Sequence, residues 1–135
     1  MIARYLLDTN IVSDFLENKP PEVRRRVLNV GLDAIALSVI SEAELRYGLA
    51  NKPGAFRQRV PVERFLVDAT IPVWDSQAAQ KYASLRVEQE RKGKSLSSED
   101  LMIAAHALSL DLILITHDAA FSFVDHLKTE DWTVA

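Results

Sequence analysis

Short apolar runs alternate with longer amphipathic segments along this chain of 135 residues. The runs at residues 3–7, 34–38 and 112–116 are each five residues long and end in a polar residue or directly before one, so each predicts a buried strand. Residues 71–74 predict a further short strand, and residues 132–134 predict a last edge strand. Strands that alternate with helices predict an α/β fold, with a central, mostly parallel twisted sheet of four to five strands and helices on both faces.

Capping residues and helix breakers set the predicted helix ends. The pattern predicts one helix from after Asp8 to about Glu17, others at about 22–30, 39–50, 55–69, 76–92 and 101–110, and a short one near 119–123. Pro20-Pro21 separates the first two helices, and Asp75 or Ser76 suits the cap of the 76–92 helix. Because the length is that of one ordinary domain, we expect a single domain over residues 1–135.

The composition excludes several classes of site. The sequence has no cysteine, so disulfides and metal sites built from thiolates are excluded. No segment approaches the roughly 18 uninterrupted apolar residues of a membrane span. Asp8 also interrupts the apolar stretch that a signal peptide would need. We therefore expect a cytoplasmic protein that does not enter a membrane.

Charge is unevenly distributed along the chain, although the net charge is only −3. Residues 21–64 hold eight Lys or Arg against five Asp or Glu, a local charge of +3, whereas residues 65–135 hold six against eleven, or −5. The basic part could follow the phosphates of a nucleic acid. The alternative is that these charges only solvate the outer faces of helices.

Acidic residues occupy comparable points of the predicted layout. They are Asp8 after the first strand, Glu42 or Glu44 in the helix after the second, Glu99 or Asp100 at the start of the helix before the 112–116 strand, and Asp118 after that strand. The carboxyl ends of adjacent parallel strands converge, so these acids can meet at one edge of the sheet. Grouped carboxylates repel one another unless a cation is present, and oxygen ligands favour Mg²⁺ or Mn²⁺ over zinc.

Each acid also has a purely structural explanation. Asp8 and Asp118 could cap the helix or turn that follows, and Asp100 could simply complement a helix dipole. Glu44 borders the apolar face of its helix while Glu42 points away from it, but periodicity alone does not decide between them.

Other polar residues are weaker candidates. The lone His106, inside an apolar helical run, is predicted to be a hydrogen-bonded core residue. No GxxxxGK[ST] or GxSxG sequence occurs, so nothing favours nucleoside triphosphate binding or a serine hydrolase.

Several segments together resemble a PIN domain, and more narrowly the VapC toxins of bacterial VapBC toxin-antitoxin pairs. They are Leu6-Leu7-Asp8-Thr9-Asn10, the stretch from Ser38 to Gly48, the stretch from Asp100 to Ala107, and Thr116-His117-Asp118 followed by Phe121 and Glu130-Asp131-Trp132. By position, the resemblance implies that the catalytic and metal-binding acids are Asp8, Glu44, Asp100 and Asp118, with Asn10 and Thr116 as polar supports. Glu44 rather than Glu42 matches the family pattern, in which an aliphatic residue follows the Glu and a Gly comes four positions later.

The same resemblance implies an activity and partners. It implies a Mg²⁺-dependent endoribonuclease toxin, with Mn²⁺ as a substitute, that hydrolyses transfer RNA or other structured RNA. It also implies a homodimer and a VapB-like antitoxin whose C-terminal arm crosses the site, with an apolar groove near Phe15, Tyr47 and Phe56 to hold it. Candidates to hold RNA phosphates are Arg24, Arg25, Arg26 and Arg46, followed by Lys52, Arg57, Arg59 and Arg64.

Three other classes of protein share features with this sequence. A Mg²⁺-dependent phosphohydrolase of the haloacid-dehalogenase kind needs a second Asp two positions after the first, where this chain has Asn10. A receiver domain needs a late Lys at a strand end, where this chain has Thr116-His117-Asp118. A catalytically inactive PIN-like binding domain would keep the fold and bind RNA without cleaving it.

Overall fold

The computed structural model describes residues 2–52, 56–94 and 96–135. Its strands are β1 (Tyr5–Leu7), β2 (Ile35–Leu37), β3 (Ile113–Ile115) and β4 (Thr129–Glu130). Its helices are α1 (Thr9–Glu17), α2 (Pro21–Val30), α3 (Val39–Asn51), α4 (Phe56–Asp68), α5 (Ser76–Arg91) and α6 (Ser98–Leu110), with 3-10 turns at Leu32–Ala34 and Ala119–Phe123. The predicted helix break at Pro53-Gly54 lies outside the described residues. No helix in the described ranges combines the length and the apolar character needed to cross a membrane.

The sheet has the strand order β2-β1-β3-β4, and every neighbouring pair is parallel. Tyr5 of the central strand β1 is in register with Ile35 of β2 on one side and with Ile113 of β3 on the other. The chain therefore leaves β1 towards one side of the sheet and later returns on its other side. Where the order of strand addition reverses in this way, a crevice forms at the carboxyl ends of the two strands concerned. In this chain these strands are β1 and β3.

Two apolar cores cover the two faces of the sheet. Leu6 and Leu114 point into a core shared with α5 and α6, while Leu7 and Ile115 point into a core shared with α1, α2, α3 and α4. All four side chains are fully buried, and burying a leucine or isoleucine contributes about 1.5–3 kcal/mol. The predicted α/β fold, with helices on both faces of the sheet, is confirmed.

The strand predicted at residues 71–74 is wrong. The chain meets the β2 edge only at Thr70, whose carbonyl accepts a hydrogen bond from the Leu37 N–H at 2.9 Å. Pro72 has no N–H to donate, so the ladder cannot continue. Trp74 instead turns to the helix layer and donates its indole N–H to a backbone carbonyl of α6 at 3.0 Å.

The edge strand lies earlier than the predicted residues 132–134, because β4 pairs with β3 through Thr129–Glu130. Trp132 is buried instead of lying on an edge, with its ring centroid 5.0 Å from that of Tyr5. Its indole N–H donates to the Glu130 carboxylate at 2.9 Å. The aromatic residue therefore anchors the C-terminal segment against the sheet by its side chain.

The start of α6 also differs from the prediction. Ser97 is the N-cap, and its hydroxyl accepts the Asp100 N–H at 3.1 Å. The helix consequently begins at Ser98 rather than near Leu101. This earlier start places Asp100 in the first turn, beside the carboxyl end of the sheet.

Candidate metal centre

Asp8 lies at the centre of the site, at the junction between β1 and α1. It caps α1 and is only 6% exposed. Its Oδ1 accepts the backbone N–H of Thr9 at 2.8 Å, and its Oδ2 accepts the hydroxyl of Thr116 at 2.9 Å. The same Thr116 oxygen accepts the backbone N–H of Asp118 at 3.0 Å. These bonds join the residues that follow β1 and β3 into one hydrogen-bonded edge.

Glu44 reaches this edge from α3. Its Oε1 lies 2.6 Å from the Thr9 hydroxyl oxygen. Glu42 occupies another side of the helix, where its carboxylate pairs with Arg46 at 2.7 Å. The structure therefore brings Glu44, and not Glu42, next to the residues around Asp8.

Asp100 faces these carboxylates from the first turn of α6. Partial burial, then the nearby charge of Asp8, and then those of Glu44 and Asp118 together raise the pKa of Asp100 to about 6. Burial also raises the pKa of Asp8, against the lowering effect of its hydrogen bonds, and Glu44 and Asp118 add to the rise. A raised carboxyl pKa means that the ionised form is disfavoured, so a cation between these groups would relieve the repulsion.

The donor set suits a hard divalent cation. Carboxylates are the ligands that Mg²⁺ and Mn²⁺ prefer, and the buried carboxylate of Asp8 could serve as one of them. Within residues 2–52, 56–94 and 96–135, no three His, Asp or Glu side chains are grouped closely enough to enclose an ion as they stand.

Two further polar residues had been predicted as supports of the metal centre. Thr116 is buried and bonded to Asp8 as described, whereas Asn10 lies exposed on the second residue of α1. Sequence reasoning missed Thr9, whose N–H and hydroxyl contact Asp8 and Glu44. A threonine at the start of a helix is common, so only its position between Asp8 and Asn10 could have drawn attention to it.

His106 is a core residue, which confirms its prediction from the sequence. It is fully buried, and its Nδ1 lies 2.9 Å from the hydroxyl of Ser38, the N-cap of α3. Its Nε2 lies 3.2 Å from the Val73 carbonyl, to which it donates. Burial lowers the pKa of this histidine. The side chain therefore connects α6, which carries Asp100, to the start of the helix that carries Glu44.

Comparison with known proteins identifies the family. The PIN domain profile matches residues 5–127. The chain belongs to the PIN domain family. One relative of this PIN domain is the tRNA(fMet)-specific endonuclease VapC of Shigella flexneri, which is 34% identical over 133 residues, 98% of this chain and 100% of that protein. Within the family, the chain therefore groups with the VapC proteins.

Solved structures of VapBC complexes share the fold of this PIN domain. The DNA-bound VapBC of Salmonella typhimurium matches with a TM-score of 0.88 and 32% identity over 96% of this chain and 98% of that chain. VapBC2 of Rickettsia felis, bound to a DNA fragment from its promoter, matches with a TM-score of 0.85 and 29% identity over 95% and 98%. These matches confirm the predicted resemblance.

The arginines predicted to hold RNA differ in their surroundings in this PIN domain. Arg24 packs within the fold, where it donates to the Phe15 carbonyl at 2.8 Å and lies 5.1 Å above the ring of the same residue. Arg46 pairs with Glu42. Arg25 is exposed on α2, and Arg26 is half-buried. RNA binding by these four residues stays a prediction, and Arg25 and Arg46 are the exposed members of the set.

Two pockets lie side by side between α1 and α4 of the PIN domain and share Leu16 and Pro61 in their linings. Together they are here called the α1–α4 groove, with each pocket as one half. One half is apolar and includes Phe15 and Phe65, and the other half ends at Thr9 and Glu44. Phe15 therefore lines a groove as predicted, whereas Tyr47 is 69% exposed and the side chain of Phe56 lies outside the described part of the structure.

Proposed function

We propose that this PIN domain is a divalent-metal-dependent endoribonuclease and the toxin of a type II toxin-antitoxin pair. The observation that carries the proposal is the buried carboxylate of Asp8, which acids from three other elements approach at the carboxyl edge of the sheet. Such crowding disfavours the metal-free site and favours binding of a cation. The names of the VapC relatives support ribonuclease activity.

The four acids have distinct roles in this proposal. Asp8 and Asp100 bind the cation directly, and Glu44 and Asp118 act through water or hold a second ion. Mg²⁺, or Mn²⁺ in its place, would polarise the scissile phosphate and lower the pKa of a water molecule. In the overall hydrolysis, a water oxygen bonds to phosphorus and the bond from phosphorus to the 3′ oxygen breaks, which leaves a 3′-hydroxyl and a 5′-phosphate.

The proposed substrate is structured RNA, with transfer RNA as the first candidate. The relative from Shigella flexneri is named as specific for tRNA(fMet), so the initiator transfer RNA is a reasonable test substrate. Four carboxylates would repel a polyanion, and a bound cation would reverse the sign of that interaction. We therefore expect the metal to be needed for RNA placement as well as for chemistry.

The proposed partner is a VapB-like antitoxin, because the similar solved structures are VapBC complexes. The α1–α4 groove offers an apolar half at Phe15 and Phe65 for an amphipathic arm. The other half leads to Glu44, where a basic residue of the arm could pair with the site acids. We also propose a homodimer and a cytoplasmic location, the compartment in which a chain without cysteine and with an RNA substrate would act.

The experiment that tests the activity is cleavage of total transfer RNA by the purified, antitoxin-free protein with Mg²⁺, Mn²⁺ or EDTA. Asp8→Asn and Asp100→Asn should abolish metal-dependent cleavage. Glu99→Gln is the matched control, since Glu99 is an exposed acid next to Asp100 in the same helical turn. Cleavage that persists in EDTA or in both Asn variants would overturn the mechanism. Metal-independent RNA binding without cleavage would favour an inactive binding domain instead.

A further inference from the structure

Thr9 contacts two acids of the site at once. Its backbone N–H donates to Asp8 Oδ1 at 2.8 Å, and its hydroxyl oxygen lies 2.6 Å from Glu44 Oε1. The same hydroxyl oxygen lies 2.9 Å from the hydroxyl oxygen of Ser41, which is fully buried on α3. Thr9 therefore joins the end of β1 to α3 through side-chain as well as backbone bonds.

The direction of these bonds follows from the hydrogens available. A hydroxyl has one hydrogen, and an ionised carboxylate can only accept, so Thr9 donates to Glu44. Its lone pairs are then left to accept the hydroxyl hydrogen of Ser41. The 2.6 Å separation lies in the range of O–H bonds to a charged carboxylate, which are stronger than bonds between neutral groups.

Glu44 needs such a bond to face the site. Its carboxylate is separated from the α3 backbone by three rotatable side-chain bonds, and its charge raises the pKa of both Asp8 and Asp100. Repulsion from these acids would turn a freely rotating Glu44 outward into the α1–α4 groove, which it also lines. The Thr9 hydroxyl opposes that rotation.

We propose that Thr9 is a positioning residue that holds the Glu44 carboxylate beside Asp8, so that both carboxylates contribute to divalent-cation binding, Glu44 directly or through water. The inference rests on the proposed metal-dependent function. Groups that orient metal ligands without binding the metal typically change metal affinity about 10- to 100-fold when they are removed. Loss of the Thr9 hydroxyl should therefore weaken Mn²⁺ binding by about that factor.

The test compares Thr9→Val, which keeps the shape and removes the hydroxyl, with Thr9→Ser, which keeps the hydroxyl. The matched control is Thr70→Val, the same chemical change at an exposed position where the backbone carbonyl makes the contact with β2. Mn²⁺ affinity is measured by electron paramagnetic resonance on the antitoxin-free protein, and thermal unfolding in EDTA reports the fold. We expect Thr9→Val to raise the Mn²⁺ dissociation constant about 10- to 100-fold and Thr9→Ser to stay close to the wild type.

Several results would overturn the inference. They are wild-type Mn²⁺ affinity in Thr9→Val, equal losses in Thr9→Ser and Thr9→Val, or the same loss in Thr70→Val. A crystal structure of Thr9→Val should also show the Glu44 carboxylate turned away from Asp8, and an unmoved Glu44 would contradict the role. If the wild type binds Mn²⁺ but cleaves no RNA, the proposed ribonuclease activity is wrong, and the Mn²⁺ affinities of the Thr9 variants still decide the role of Thr9. A wild type that binds no divalent cation would overturn both.

Discussion

Asp100→Asn should make the metal-free protein more stable while it removes activity. The carboxyl group of Asp100 is half-buried and faces the charge of Asp8, which together raise its pKa from 3.8 to about 6. For a carboxyl whose pKa is raised by folding, the ionised form opposes folding, so the penalty is complete above about pH 6, shrinks as the pH falls, and is lost only below the ordinary pKa of 3.8. An amide of the same shape carries no charge and avoids the penalty.

The size of the effect follows from that pKa difference. Each pKa unit corresponds to about 1.4 kcal/mol, so a fully buried group would give about 3 kcal/mol. Asp100 is only partly buried, and solvent screening reduces the value to roughly 1.5 kcal/mol. Loss of a negative charge in the first helical turn costs about 0.5 kcal/mol. The net gain is therefore roughly 1 kcal/mol, or about 4 °C in the melting temperature for a chain of this size.

The assay is thermal and urea unfolding in EDTA at pH 7.5 and again at pH 4.5. Glu99→Gln is the control, since it removes a charge from the same turn at an exposed position and should only lose the favourable helix-dipole interaction. The two variants should thus shift stability in opposite directions at pH 7.5, and the gain from Asp100→Asn should be clearly smaller at pH 4.5. Equal shifts of the two variants, or a gain that is undiminished at pH 4.5, would refute the electrostatic reasoning.

Three further outcomes follow from the structure. Thr116→Val removes the hydroxyl that donates to Asp8, so the rate of cleavage should fall about 10- to 100-fold. Thr116→Ser keeps the hydroxyl and should stay close to the wild type, and an equal loss in both variants would contradict the role of Thr116 in orienting Asp8. Burial lowers the pKa of His106, so its contribution to stability should fade as the pH drops below 6.5. Between pH 7.5 and pH 5, urea unfolding should therefore show a smaller loss of stability in His106→Gln than in the wild type, and an equal loss in the two proteins would contradict this reasoning. Leu16→Glu puts a charge into the α1–α4 groove, so the antitoxin concentration needed for inhibition should rise about tenfold or more. Val67→Glu, at an exposed position of α4, is the control, and equal inhibition of the two variants would exclude the groove as the antitoxin-binding site.

The order of elements could be predicted because the strands are short, apolar and buried on both faces. Leu6 and Leu7 show this, since they enter opposite cores, and a strand buried in this way appears in the sequence as an uninterrupted apolar run. The run at residues 71–74 has the same appearance but contains Pro72, whose missing N–H ends the ladder. Trp132 likewise reads as a strand residue, although tertiary packing against Tyr5 decides its place.

The layout alone predicts that several acids meet at the carboxyl edge of the sheet, because they lie near the ends of its parallel strands. It left Glu42 and Glu44 open, and the resemblance to PIN domains decided for Glu44. The physical reason is a contact between residues far apart in sequence, the bond from Thr9 to Glu44. Thr9 itself could not be predicted, since a threonine at a helix start has an ordinary local explanation. Residues that hold an acid in place are recognised only when the partners from another element are in view.

The kind of group that holds the acids also bears on inhibition. The hydrogen bonds to Asp8 and Glu44 in the described residues come from backbone N–H and threonine hydroxyl groups. Such donors orient a carboxylate but leave its full negative charge, whereas a lysine or arginine would neutralise it and compete with a cation. Under the proposed function, a site built in this way would keep its affinity for a divalent cation. For the same reason it would stay open to a basic side chain of an antitoxin arm in the α1–α4 groove, so the feature that favours the metal would also make the site sensitive to inhibition.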